Sequence, residues 1–116
     1  MTGPDQRLGK GQSMARGYWI GRVDVSDADA YKAYVAANAE AFAKYGARFL
    51  VRGGAFEAVE GGSRARNVVI EFPSRQAAID CWNSPEYKRA KALRDGHAVA
   101  DMVVIDGYDG PQPGEG

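Results

Sequence analysis

The feature that most constrains this chain is the order in which its hydrophobic period switches. Gly17–Val25 alternates and is rich in aromatic and β-branched residues, the pattern of a half-buried strand. Ser26-Asp27-Ala28-Asp29 then offers a Ser-x-x-acid cap, with both aspartates near the positive end of a helix dipole. Tyr31, Tyr34, Val35, Ala39 and Phe42 recur at helical spacing, and Gly46 supplies a stop. Arg48–Arg52 reads as a second strand, broken by Gly53-Gly54 and resuming over Phe56–Val59, and Gly61-Gly62-Ser63 is turn material. Asn67–Phe72 is the most strand-like run of all. Ser74 caps a helix carrying Ala77, Ala78, Cys81 and Trp82; Ser84-Pro85-Glu86 restarts it, with proline where its missing N–H costs nothing. That second piece runs through Arg94 and stops at Gly96, and Met102–Asp106 is a last short strand. The order is β-α-β-β-α-β. Short connections and right-handed crossovers then predict an α+β, ferredoxin-like domain, a four-stranded antiparallel sheet with two helices on one face.

The remainder of the sequence bounds this reading. Residues 1–14 are too poor in apolar side chains to order themselves and read as a disordered extension or a non-native remnant. Residues 15–108 are the folding unit, and residues 109–116 a flexible tail. Fifteen Lys+Arg balance fifteen Asp+Glu, so no electrostatic footprint for nucleic acid or an anionic membrane is present. No apolar run approaches the ~20 residues of a membrane helix. The single cysteine, Cys81, can form no internal disulfide, which suits a cytoplasmic location, and beside Trp82 it is most simply a core filler. One His and one Cys without metal-ligand spacing predict no metal, and nothing points to haem or another cofactor. An RNA-recognition reading of the βαββαβ order fails, because the third strand carries one aromatic, Phe72, on its helix-covered face.

Alternation separates the two faces of each strand. Trp19, Gly21, Val23 and Val25 oppose Tyr18, Ile20, Arg22 and Asp24. Phe49 and Val51 oppose Arg48, Leu50 and Arg52, and Val68, Ile70 and Phe72 oppose Asn67, Val69 and Glu71. The second face of each strand is mixed, yet Tyr18, Ile20, Leu50 and Val69 make it too apolar to leave in water. A second copy of the chain, in a two-fold homodimer, is the simplest cover. Arg22, Asp24, Arg52 and Glu71 would then sit at a partly dehydrated interface, paired with each other or with a polar ligand.

Tyr18-Trp19-Ile20, Phe49-Leu50-Val51-Arg52-Gly53-Gly54, Val69-Ile70-Glu71-Phe72-Pro73-Ser74, Trp82 and Ser84-Pro85-Glu86-Tyr87 fall in that order within residues 17–107. Jointly they resemble the bacterial family catalogued as domain of unknown function 1330. The resemblance implies a ferredoxin-like protomer of the dimeric α+β barrel superfamily. Its members include cofactor-free monooxygenases, lactone isomerases and haem enzymes, so it implies no particular activity. Asn83 stands where relatives often carry an aromatic residue, and His97 matches no position of the pattern.

Arg52 followed by Gly53 and Gly54 is the leading candidate for a ligand site. The glycines permit close backbone approach, and Arg52 offers a bidentate fork for a carboxylate; a strand bulge with Arg52 paired to Glu71 or Asp24 is the structural alternative. Tyr18 and Arg94 complete the ligand-binding set. Asp24 and Glu71 are candidate general bases or a structural pair, and His97, the sole histidine, is a candidate acid or base or a solvated loop residue. Two functional classes follow. One is a homodimeric module holding a small organic acid or apolar metabolite in a cleft near the dimer interface; the other is a cofactor-independent oxygenase or isomerase using that cleft.

Overall fold

The computed structural model describes residues 15–115, so the extension expected over residues 1–14 lies outside the described residues. Seven elements follow in order: β1 (Gly17–Val25), α1 (Ala28–Tyr45), β2 (Arg48–Arg52), β3 (Arg66–Phe72), α2 (Arg75–Asn83), α3 (Pro85–Arg94) and β4 (Ala98–Asp106). The strands form one antiparallel sheet in the order β2-β3-β1-β4, the ferredoxin-like arrangement, with the second expected helix split in two at Ser84. Residues 109–115 contain no helix or strand. Among the described residues no helix is long and apolar enough to cross a membrane.

Local chemistry sets the boundaries. The N-cap of α1 is Asp27, whose Oδ1 accepts from Ala30 N at 3.1 Å, and not Ser26 as the Ser-x-x-acid pattern predicts. Ser26 instead uses its backbone N–H to reach the His97 carbonyl at 2.9 Å. Gly46 ends α1 in the left-handed region at φ 73°. Ser74 and Ser84 cap α2 and α3 through Ala77 N and Tyr87 N, with Pro85 opening α3. β4 begins four residues earlier than the predicted Met102 because Ala98 and Ala100 pair with Val25 and Val23. The predicted strand over Phe56–Val59 does not form. Residues 53–65 form a loop, with Val59 93% exposed, tied to β1 by Arg22 Nη2 on the Gly62 carbonyl at 3.0 Å.

The helices cover one face of the sheet. Trp19 is fully buried at its centre, its Nε1 donating to the Ala78 carbonyl at 2.9 Å. The rings of Phe42, Phe72, Trp82 and Tyr87 surround it at centroid distances of 4.9–5.5 Å, within the range of favourable aromatic pairs. Position 39, expected in this core, is exposed; Asn38 and Ala41 turn inward instead. The other face presents Ile20, Leu50, Val51, Val99, Val103 and Ile105, each 40–57% exposed.

One irregularity matters for function. The β2–β3 register slips between Phe49 and Val51, so that Val51 opposes Val69 and Arg52 opposes Val68. Because side chains alternate, a one-residue slip exchanges the faces. The face assignment read from alternation is therefore inverted beyond Leu50: Val51 joins the open face and Arg52 the helix-covered one.

Candidate functional site

Between α1 and the covered face of the sheet lies a cavity of about 20 Å³, room for one water molecule. Three guanidinium groups line it, each from a different element. Arg52 arrives through the β2 bulge. Arg66 arrives by plain alternation with Val68, Ile70 and Phe72 along β3. Arg94 arrives by helical spacing, since Tyr87, Ala90 and Arg94 form the buried stripe of α3. Among the described residues no Asp or Glu lines this cavity.

The arginines are held by rings and hydroxyls in place of carboxylates. Arg94 is only 5% exposed; its Nη2 donates to the Tyr87 hydroxyl at 3.3 Å and its guanidinium stands 5.1 Å from the Tyr34 ring centroid. The Tyr34 and Tyr87 hydroxyls lie 2.9 Å apart. Burial, then the neighbouring Tyr34, pushes the Tyr87 phenol far up, so it stays neutral. Arg52 sits 3.9 Å over the Phe49 ring, and Arg66 5.5 Å from that of Tyr31, whose phenol is also pushed up by burial. Arg66 Nε is buried with no hydrogen-bond partner among the described residues. Asn38, 4% exposed on the same cavity wall, has no side-chain hydrogen bond to any described residue. Cation–ring contacts supply only ~0.5–2 kcal/mol each. Arg52 is exposed and Arg66 half-buried, so water solvates them in part, whereas Arg94 is a desolvated cation without a counter-charge, which is costly. The arrangement suits an anion.

Glycine enters at one position. Gly53 has φ +67°, and a Cβ there would stand 2.5 Å from Arg66 Nη1, so a side chain at 53 would displace the arginine. Gly54 faces open space.

The structure brings together Arg52, Gly53 and Arg94 and leaves the other sequence-derived candidates elsewhere. Arg52 pairs with neither Glu71 nor Asp24, contrary to the structural alternative, because the bulge carries it to the opposite face. Tyr18 lies on the open face and donates to Glu71 Oε2 at 3.0 Å, a bond that raises its own pKa, while Arg16 approaches Glu71 at 3.9 Å. Asp24 accepts from Ala65 N at 2.9 Å and from Arg64 at 2.8 Å. These bonds, the backbone one first, hold its carboxyl below the usual range, the opposite of a base tuned upward. His97 is exposed, with Nδ1 3.6 Å from Asp27 Oδ2, and does not line the cavity. Burial pushes the Cys81 thiol up to about 12, leaving it unreactive. Among the described residues no three His, Cys, Asp or Glu side chains gather where they could hold a metal ion.

Sequence reasoning missed Arg66, Asn38 and the polar ends of Tyr31, Tyr34 and Tyr87. Signals for three of them were present. Extending the Val68–Ile70–Phe72 alternation one step back reaches Arg66, and Tyr34, Asn38 and Phe42 share one helical face.

Comparison with known proteins agrees with the architecture. Residues 16–108 match the family model described as domain of unknown function (DUF1330), and the chain belongs to that family. A protein of unknown function from Rhodopseudomonas palustris superposes with a TM-score of 0.69 at 17% identity, over 86% of this chain and 88% of its own. SnoaB, a cofactor-independent oxygenase from Streptomyces nogalater, superposes with a TM-score of 0.56 at 13% identity, over 85% and 98%. At such identities the likeness is one of fold. No curated protein matches the sequence significantly.

Proposed function

We propose that this member of the family acts as a homodimeric module that binds a small organic acid, its carboxylate held at the arginine-lined cavity between α1 and the sheet. The observation that carries the reading is the convergence of Arg52, Arg66 and Arg94 on one cavity with no acidic side chain in its wall among the described residues. A bound carboxylate would supply the missing counter-charge and accept paired N–H bonds from a planar fork. Dimerisation through the open face is supported by its exposed Ile20, Leu50, Val51, Val103 and Ile105, an apolar surface of the kind that marks interfaces.

Arg52→Ala tests the reading, with native mass spectrometry and calorimetry reporting bound acid and a melting curve reporting the fold. Loss of at least ten-fold in carboxylate affinity at an unchanged melting temperature is the expected result. A collapse of stability, with no acid ever bound by the parent protein, would make Arg52 a strut and end the idea.

A second reading, a cofactor-independent oxygenase or isomerase in the same cleft, is favoured by one feature. The Tyr34 hydroxyl on the cavity wall, bonded to that of Tyr87 beside Arg94, offers a buried hydroxyl pair suited to steadying a developing oxyanion. Turnover of any bound acid in air, lost in Tyr34→Phe with binding intact, would select this reading over simple binding.

A further inference from the structure

The 20 Å³ cavity is too small to enclose an organic acid, so the body of such a ligand must lie elsewhere. Directly outside it is an open groove of about 490 Å³ along the first turns of α1, lined by Val25, Ala28, Tyr31 and Val35, with Arg66, Asp29 and Lys32 as its charged members. Tyr31, Val35 and Arg66 line both spaces. Arg66 therefore stands at the boundary, with a buried Nε lacking a partner among the described residues, its guanidinium beside the Tyr31 ring, and Gly53 leaving it room.

We propose that the occupant is a monocarboxylate with an aromatic or branched apolar body: the carboxylate meets Arg66 at the cavity mouth, and the body lies in the groove against Tyr31, Val25 and Val35. This rests on the acid-binding reading and narrows it. The groove wall offers apolar and aromatic surface to an uncharged body. Lys32 and Asp29 leave the groove with no net charge of its own, so the selecting charge is that of Arg66. A polyanion without an apolar part would satisfy the arginines but leave the groove unfilled, forfeiting the burial of its apolar wall.

The test is calorimetric titration of the full chain with benzoate, phenylacetate, benzamide and malonate, repeated on Arg66→Gln, Arg66→Lys and Arg52→Ala. Benzoate and phenylacetate are expected to bind the parent protein at least ten-fold more tightly than benzamide and more tightly than malonate. Arg66→Gln should lose at least ten-fold for both aromatic acids, and Arg66→Lys should recover part of that loss. If malonate binds as well as benzoate and weakens with Arg52→Ala but not with Arg66→Gln, acid binding stands and the assignment to Arg66 and the groove falls. If none of the acids binds the parent protein at millimolar concentration, both readings fall. Should circular dichroism show Arg66→Gln to be unfolded, equal affinity of the parent protein for benzoate and benzamide still overturns the proposal.

Discussion

The two faces of the sheet treat the same side chain in opposite ways. On the open face, Arg64 is surface-accessible and doubly paired, with Nε on Asp101 and Nη1 on Asp24, both at 2.8 Å. On the covered face, Arg94 is buried and finds a tyrosine hydroxyl and a ring but no carboxylate among the described residues. The economical place for an ion pair is the inverse, since burial makes an unpaired cation expensive and water makes a surface pair nearly redundant. The difference teaches where a functional arrangement is to be sought on this molecule. On the covered face Arg94 is buried with no carboxylate beside it among the described residues, and the proposed acid would supply that counter-charge. Apolar surface shows the complementary anomaly, for it is left wet on the open face, where a second subunit could cover it.

Adjacent residues give the sharpest contrast. Trp19 is fully buried while Ile20, its neighbour on the opposite face, is 40% exposed. Trp19→Ala removes four ring contacts and a hydrogen bond to Ala78, and should cost about 3–5 kcal/mol, read as a urea midpoint lowered far enough to leave the domain partly unfolded. Next in size is the assembly. Ile20 and Val103 are cross-strand partners on the open face, and placing an aspartate at both should cost more than ~2 kcal/mol of association. Sedimentation should then report a single protomer where the parent protein gives twice that mass, with unchanged circular dichroism. A parent protein that remains a lone protomer at high concentration would remove the reason for treating the open face as an interface.

Arg94→Met tests the covered face directly. Replacing a buried charge by an apolar side chain of similar length often leaves stability unchanged or raises it by about 1–4 kcal/mol. The expected outcome is a melting temperature equal to or above the parent's, together with loss of carboxylate binding. A large fall in stability would instead assign Arg94 to holding Tyr34 and Tyr87 in the core, and the contrast between the faces would lose its functional meaning.

Much of this was legible from residue order because it is local. Alternation along β1 and β3, the serine caps of α2 and α3 and the glycine stop of α1 depend on neighbours a few positions away, and they define the fold. The site depends on what is not local. The slip at Leu50 is a property of the β2–β3 pairing, and without it Arg52 falls on the wrong face and acquires imaginary partners in Glu71 and Asp24. Ala98 and Ala100 carry little strand signal, so the start of β4 is fixed by pairing with β1. Phe56–Val59 has strand-like side chains but no neighbouring strand to bond with. Arg66 was readable from its phase with Val68, yet a charge at the end of an apolar stripe reads as the end of the stripe until the groove and the orphaned Nε are seen around it.

The smallest effect lies on the open face, where pairing is ordinary. Asp24 has its pKa lowered by Ala65 N–H and Arg64, so its ionised form is favoured in the folded protein. Its contribution is therefore complete above the carboxyl's unfolded-state pKa and disappears as pH falls through the lower folded value. Asp24→Asn should shift the urea midpoint slightly at pH 7, and the gap from the parent should close as pH drops below about 4. Added salt should shrink the Arg64 part and spare the backbone hydrogen bond. Equal gaps at pH 7 and in acid would show that the asparagine variant loses packing and not charge, and the open face would then resemble the covered one in deriving little from its ion pairs.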